Sequence, residues 1–200
     1  WEHPLYFDSD TPDTAGFTRQ DWWKSVRREA LMLRRNVGII DISNFGKYIC
    51  HGNGAHEFLD RIFANKIPEK VGASCLSPII GKMGGISADA TITKINDDTF
   101  WVVSSGAAEG FQQRFFNLKE LDEDTKFTSK SNDYCGFNVA GPKSRDLLQR
   151  LSNKDLSKEA WPFFKSGNLV IAGIECVALR VSFTGDLGWE LYCEEHDQLA

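Results

Sequence analysis

Apolar residues recur along this chain at two different periods, and the points where the period changes mark its elements. From Thr18 the spacing is helical, with Trp22, Trp23, Val26, Ala30 and Leu33 on one side and Gly38 ending the run. Thr18 with Asp21 three residues on forms an imperfect capping box. Residues 37–50 read as two short strands, and Ala55, Phe58, Leu59, Ile62 and Phe63 predict a second helix over 53–63. After Pro68 the pattern turns strand-like: Leu76–Ile80, then Asp89–Ile95, where Ala90 and Ile92 alternate with Asp89, Thr91 and Thr93. Asn96, Asp97 and Asp98 turn the chain into Phe100–Val103, which predicts a hairpin. Ala107, Phe111, Phe115 and Leu118 predict a third helix, followed by an acidic loop over 120–124. Further on, Val177, Leu179, Val181 and Phe183 share one face of a strand. Thr184–Gly188 turns that strand and Trp189–Cys193 returns as its partner, which sets Glu190 near Phe183.

One pattern occurs twice. HGNGAHEFLDRI (51–62) matches AGPKSRDLLQRL (140–151) at an offset of 89, and each copy follows a short apolar strand. Chance likeness between amphipathic helices stays open as an explanation. A true repeat predicts an α+β fold of two pseudo-symmetric lobes, each an antiparallel sheet with flanking helices. The expected division is an arm or linker over 1–17, a discontinuous first lobe of 18–50 plus 133–200, and a second lobe over 51–132.

Length and composition narrow the function class. Two hundred residues, 42% hydrophobic and 26% charged, are enough for a buried core and argue against disorder. The net charge of −5 disfavours a nucleic-acid binder, since Arg27, Arg28, Arg34 and Arg35 fit the solvated face of a helix. Five cysteines are odd in number and never spaced as CxxC, so they read as buried thiols in a reducing compartment. The four histidines form no HxH or HExxH arrangement, and no metal is expected. There is no run of about 18 apolar residues to span a membrane, and no secretory leader is read in the sequence. Both ends read as cuts within a longer protein.

Three features carry candidate chemistry. Gly84-Gly85-Ile86-Ser87-Ala88-Asp89 brings paired glycines to a carboxylate at the start of a strand, without the pattern of a phosphate loop. Asp89 is either a ligand-facing acid or the cap of a turn. Glu190, between Trp189 and Leu191, is either a solvent-facing glutamate or a carboxylate set beside an aromatic face for a flat, nitrogen-rich ring. Arg180 and Asp186 read as an ion pair at the hairpin end. His51 and Cys50 are adjacent on a strand and point to opposite faces, so they make no nucleophile pair.

Five ordered blocks, VGIIDISNFGK (37–47), GAHEFLDRIFANKIP (54–68), GKMGGISADATITKINDDTFWVVSSGAAE (81–109), VAGPKSRDLL (139–148) and RVSFTGDLGWELY (180–192), resemble the folate-binding region of the glycine-cleavage T-protein, or aminomethyltransferase, family. Within it, the arm EHPLYFDSD and the WWKSVRREALMLRRNVGIIDIS stretch are most similar to the junction ahead of the C-terminal folate modules of FAD-dependent dimethylglycine and sarcosine dehydrogenases.

The resemblance implies the T-protein folate-binding fold, without its closing C-terminal barrel lobe. It implies that Asp89 is the catalytic aspartate beside the reactive folate nitrogens and that Glu190 binds the pterin ring. Phe183 and Leu76 fall where the family has pterin-contacting tyrosines, Ser105 falls where it has an asparagine, and Phe45 joins these as a pocket residue. Ala88 replaces the first of two family acids, and an arginine that the family supplies after this region is absent.

The implied reaction is capture of an amine-bound one-carbon unit by tetrahydrofolate, giving 5,10-methylenetetrahydrofolate. The implied partner is an FAD oxidoreductase portion, in cis or as a subunit, which makes the iminium; FAD itself belongs to that portion. A bacterial cytoplasm or a mitochondrial matrix fits such a protein. Three other readings stand beside it. One is a folate-holding module without proton transfer. Another is a methyl-transferring branch such as the sulfonium demethylases, against which the junction-like arm argues. The third is an iron–sulfur-assembly branch, against which FTGDLGWE argues, since it stands where that branch carries a cysteine motif.

Overall fold

The computed structural model describes residues 4, 6–8, 16–119 and 124–199. Most of the 1–17 arm and of the acidic 120–124 loop therefore lies outside the described residues. Along the chain run α1 (Trp22–Arg35), β1 (Gly38–Asp41), β2 (Gly46–His51), α2 (Ala55–Ile62), β3 (Ser74–Ile80), β4 (Ile86–Lys94) and β5 (Thr99–Ser104). They are followed by α3 (Glu109–Asn117), β6 (Lys126–Ser129), β7 (Tyr134–Ala140), α4 (Ser144–Leu151), β8 (Ser166–Ile171), β9 (Ile174–Leu179) and β10 (Gly188–Glu194).

Among the described residues the strands form two five-stranded sheets, ordered β1-β7-β10-β9-β8 and β6-β2-β5-β4-β3. Every pairing within them is antiparallel. The two orders coincide when β2–β5 are laid on β7–β10, and α2 and α4 lie 89 residues apart at both ends. The repeat is thus structural, and the α+β architecture of two related lobes is what the chain adopts. Its first strands are exchanged: β1 precedes β2 but pairs with β7, while β6 precedes β7 but pairs with β2. The lobe boundary expected after residue 50 accordingly falls earlier, because β2 is a strand of the second sheet. Local sequence shows that 37–50 holds two strands, but their partners lie elsewhere in the chain.

Two glycines seat the exchange. Gly52 and Gly141 have φ of +118° and +117°, and a Cβ there would lie 2.0 Å from Asp124 O and 2.4 Å from Asn36 O. Each carbonyl sits on the segment leading into an exchanged strand, so a side chain is excluded by space as well as by backbone conformation.

Each sheet is covered by helices on one face. Phe58 and Leu59 of α2 and Phe116 of α3 pack on Ile92, Phe100 and Val102, while Leu148 of α4 packs on Val139, Trp189 and Leu191. The other faces meet each other: Trp101 and Val103 of β5 pack against Leu179, Val181 and Tyr192. Alternate strand residues serve the two cores, as period two requires. Helix α1 is less covered than its spacing predicts. It begins at Trp22 with Asp21 as an N-cap that makes no side-chain bond, Ser25 is its one buried residue, and Leu31 and Met32 are exposed.

The last hairpin differs from expectation. Strand β9 ends at Leu179, and Glu190 pairs with Leu179. Beyond it Arg180 is drawn to the 164–165 segment through Phe164 N–H···O=C Arg180 and Arg180 N–H···O=C Lys165. Phe183 therefore lies in the 180–187 connection, fully exposed, and is not Glu190's neighbour across the hairpin. Arg180 does not pair with Asp186 either. Its guanidinium lies 5.0 Å from the Trp189 ring and donates to Gly188 O, and Asp186 accepts from the Thr184 hydroxyl.

Candidate functional site

Residues directly opposite each other in an antiparallel pair share a face, so the registers map the surface between the sheets. In the second sheet its rows are Pro78–Asp89, Leu76–Thr91–Val103–Lys47 and Ser74–Thr93–Trp101–Ile49. In the first they are Ile40–Asn138–Glu190–Leu179 and Gly136–Tyr192–Val177. Asp89 and Leu76 from one sheet and Glu190 from the other thus all belong to the inner faces. Leu76 and Asp89 are exposed, at the rim. Phe45 is half-buried against the inter-sheet core, and Ser105 is exposed just beyond β5. Phe183 stands apart. Two surface concavities of about 250 and 440 Å3 lie elsewhere and contain none of these residues. Among the described residues no group of acids, histidines or cysteines could hold a metal.

Glu190 is the buried carboxylate of this surface. It is 9% exposed, and Tyr192, two residues on and on the same face, donates its hydroxyl to Oε2 at 2.8 Å. Burial pushes the Glu190 carboxyl above the usual range, an effect the Tyr192 hydrogen bond opposes. Its Oε1 accepts no hydrogen bond among the described residues. The Tyr192 hydroxyl is itself raised well above its ordinary value by burial and by the neighbouring carboxylate, so it stays a donor. Gly136 makes room for it: a Cβ at that position would lie 2.8 Å from the Tyr192 ring. Trp101 braces the ring from the opposite sheet at 5.7 Å.

Asp89 is held through its backbone. The β4–β5 ladder ends at Ala90–Ser104, and beyond it the Ser104 hydroxyl donates to the Asp89 carbonyl. Gln112 Nε2 donates to Ser104 Oγ at 2.7 Å, and the Tyr48 hydroxyl donates to Gln112 Oε1 at 3.1 Å. A relay from the helix-side core therefore fixes the strand end that displays the carboxylate. Sequence reasoning missed Ser104 and Gln112. The one signal was the doubled serine closing an apolar strand.

The turn carrying Phe45 is fixed by a buried lysine. Lys47 is fully buried, and its Nζ donates to Ser43 O at 2.7 Å and Phe45 O at 2.9 Å. Desolvation lowers its pKa, and Glu109 leads the charges that oppose the shift. Gly106 lets the segment after Ser105 approach this turn, since a Cβ there would overlap Asn44 O at 1.5 Å.

The family described as the GCVT N-terminal domain matches residues 1–200. The chain is 32% identical over 207 residues to mitochondrial dimethylglycine dehydrogenase of Mus musculus, an alignment covering 98% of this chain and 23% of that protein. It is 30% identical over 188 residues to a probable aminomethyltransferase of Thermococcus gammatolerans, covering 90% of this chain and 47% of that protein. The chain thus spans about a quarter of the one and about half of the other. Among solved structures, the glycine cleavage system aminomethyltransferase T of Bartonella henselae superposes with a TM-score of 0.73 at 19% identity, over 84% of this chain and 45% of that one. That likeness concerns the fold, and it agrees with the two-sheet architecture. The match over the whole length and the shared fold place this chain in the GCVT N-terminal domain family.

Proposed function

We propose that this domain binds tetrahydrofolate on the inter-sheet surface and positions it to capture a one-carbon unit from an amine. The observation that carries the reading is Glu190: a carboxylate nine-tenths buried, with one oxygen held by Tyr192 and the other without a partner among the described residues. Burying a carboxylate without a cation is costly unless donors satisfy it. The amino and ring N–H groups along one edge of a reduced pterin are such donors, so the residues present fit the ligand.

Folate supplies the nucleophilic nitrogens, and the chain supplies position and proton handling. Glu190 orients the ring, while Asp89, exposed on the facing sheet, accepts a hydrogen bond or proton from a folate nitrogen as the new bond to carbon forms. The backbone relay through Ser104 and Gln112 holds the strand end that carries that carboxylate. In the intact protein the electrophile is an iminium made by an FAD-dependent dehydrogenase portion, a reading supported by the likeness to dimethylglycine dehydrogenase. A mitochondrial matrix is the compartment that the same likeness supports, with a bacterial cytoplasm as the alternative.

Asp89→Asn in the intact protein tests the assignment: methylene transfer at saturating folate falls by about 10²–10⁴-fold if the carboxylate handles the proton. Full transfer by this variant removes the role. One observation favours a second reading, in which the domain only holds folate near the electrophile. The Asp89 side chain makes no hydrogen bond among the described residues. Unchanged transfer by Asp89→Asn together with loss of folate binding in Glu190→Ala establishes that reading.

A further inference from the structure

We propose that Asn138 is a specificity-determining residue of the pterin site, its carboxamide donating to the ring's 4-oxo group beside the donors held by Glu190. The inference rests on the folate reading above and concerns a residue that the sequence did not single out.

Asn138 lies in β7, between β1 and β10, directly opposite Ile40 on one side and Glu190 on the other. Opposite residues have Cβ atoms about 5 Å apart and point the same way, so the carboxamide stands on the inner face next to the Glu190 carboxylate. Asparagine is depleted in strands, and this one occupies a central strand with Leu179 and Ile40 in its row. It is half-buried, yet its side chain makes no hydrogen bond among the described residues. In particular it does not donate to Glu190 Oε1, which also lacks a partner. Two adjacent polar groups that do not bond each other leave a donor and an acceptor free for a third party.

The chemistry they present is specific. A carboxylate accepts from two donors, and a carboxamide nitrogen donates to one acceptor. One edge of a 4-oxopterin offers the matching series: the 2-amino group, the N3–H and the 4-oxo oxygen. Glu190 alone reads the first two, and Asn138 completes the third.

The test is calorimetric titration of the intact protein with 5-formyltetrahydrofolate and with its 4-amino analogue, for wild type, Asn138→Leu and Asn138→Asp. Thermal melts confirm that each variant is folded, and both side chains fit a half-buried strand position. Loss of the donor predicts about tenfold weaker binding of the 4-oxo compound in both variants. Leucine removes the donor without adding charge and is expected to spare the 4-amino analogue, so the ratio of the two affinities moves by about tenfold or more towards it. Binding of the 4-oxo compound within about twofold of wild type in both variants overturns the role of Asn138 and leaves the folate reading intact. Equal losses for both ligands in Asn138→Leu also overturn it. If wild type binds neither ligand, the folate reading itself fails and this inference falls with it.

Discussion

At the scale of single residues, Glu190 is a carboxyl whose protonation is set by its surroundings. Glu190 has a folded pKa raised by burial above an unfolded value of about 4.3. Between those values the folded protein holds more protons than the unfolded chain. Its contribution to stability is therefore complete below about pH 4.3 and is lost as pH rises through the folded value. Glu190→Gln is expected to flatten that decline in a series of melts across mildly acidic pH. Folate binding runs the other way, because ring donors need the charged form, so affinity should rise with pH across the same window. Tyr192→Phe removes the one internal donor, pushes the carboxyl higher still, and should move the midpoint of this binding profile to higher pH. It should also weaken affinity at neutral pH by about tenfold or more, the value of a hydrogen bond to a charged group. An unmoved profile in that variant contradicts the role given to Tyr192. Glu190 was legible in the sequence because it follows a turn in an otherwise apolar strand. Asn138 was not, because only the register of β7 against β10 reveals what it faces.

At the scale of elements, periodicity gave the helices and most strands, and it failed where a partner was non-local. The run from Val177 to Phe183 alternates as a strand should, yet β9 stops at Leu179 because the 164–165 segment captures Arg180. The same limit hid a cysteine row: Cys135, Cys193 and Cys176 are direct neighbours on β7, β10 and β9, with the first two Sγ atoms 3.2 Å apart. Read along the chain these thiols are far apart and look unrelated. Burial pushes Cys135 up to about 12 and Cys176 up to about 11. A thiol that is neither accessible nor ionised is a poor nucleophile. In the native protein at pH 8 all three should resist iodoacetamide, and they should react promptly once denaturant is added. Rapid labelling under native conditions contradicts this packing.

At the scale of the whole molecule, the reciprocal exchange of β1 and β6 ties the two sheets into one unit. Neither sheet is complete without a strand delivered from the other half of the chain. Damage to one exchange joint should therefore loosen both sheets together. Gly141→Ala forces a side chain into a left-handed position against Asn36 O, and a loss of about 1–3 kcal/mol is expected. Hydrogen exchange should show protection falling in β2–β6 as well as in the sheet whose strand β7 ends just before Gly141; loss confined to one sheet contradicts the coupling. The arrangement also bears on function, since it fixes against each other the inner faces that carry Asp89 and Glu190. Sequence alone showed two related units, but with the wrong owner for β2, and the facing surfaces emerged only from the topology.

The central claim is that this surface recognises a reduced pterin through Glu190. Titration of the intact protein with 5-formyltetrahydrofolate, wild type against Glu190→Gln, tests it most directly. The account predicts saturable binding by wild type that weakens by about tenfold or more in the variant, with the variant's fold retained. Equal affinity in the two proteins would contradict it, because the buried carboxylate would then have no part in holding the ring.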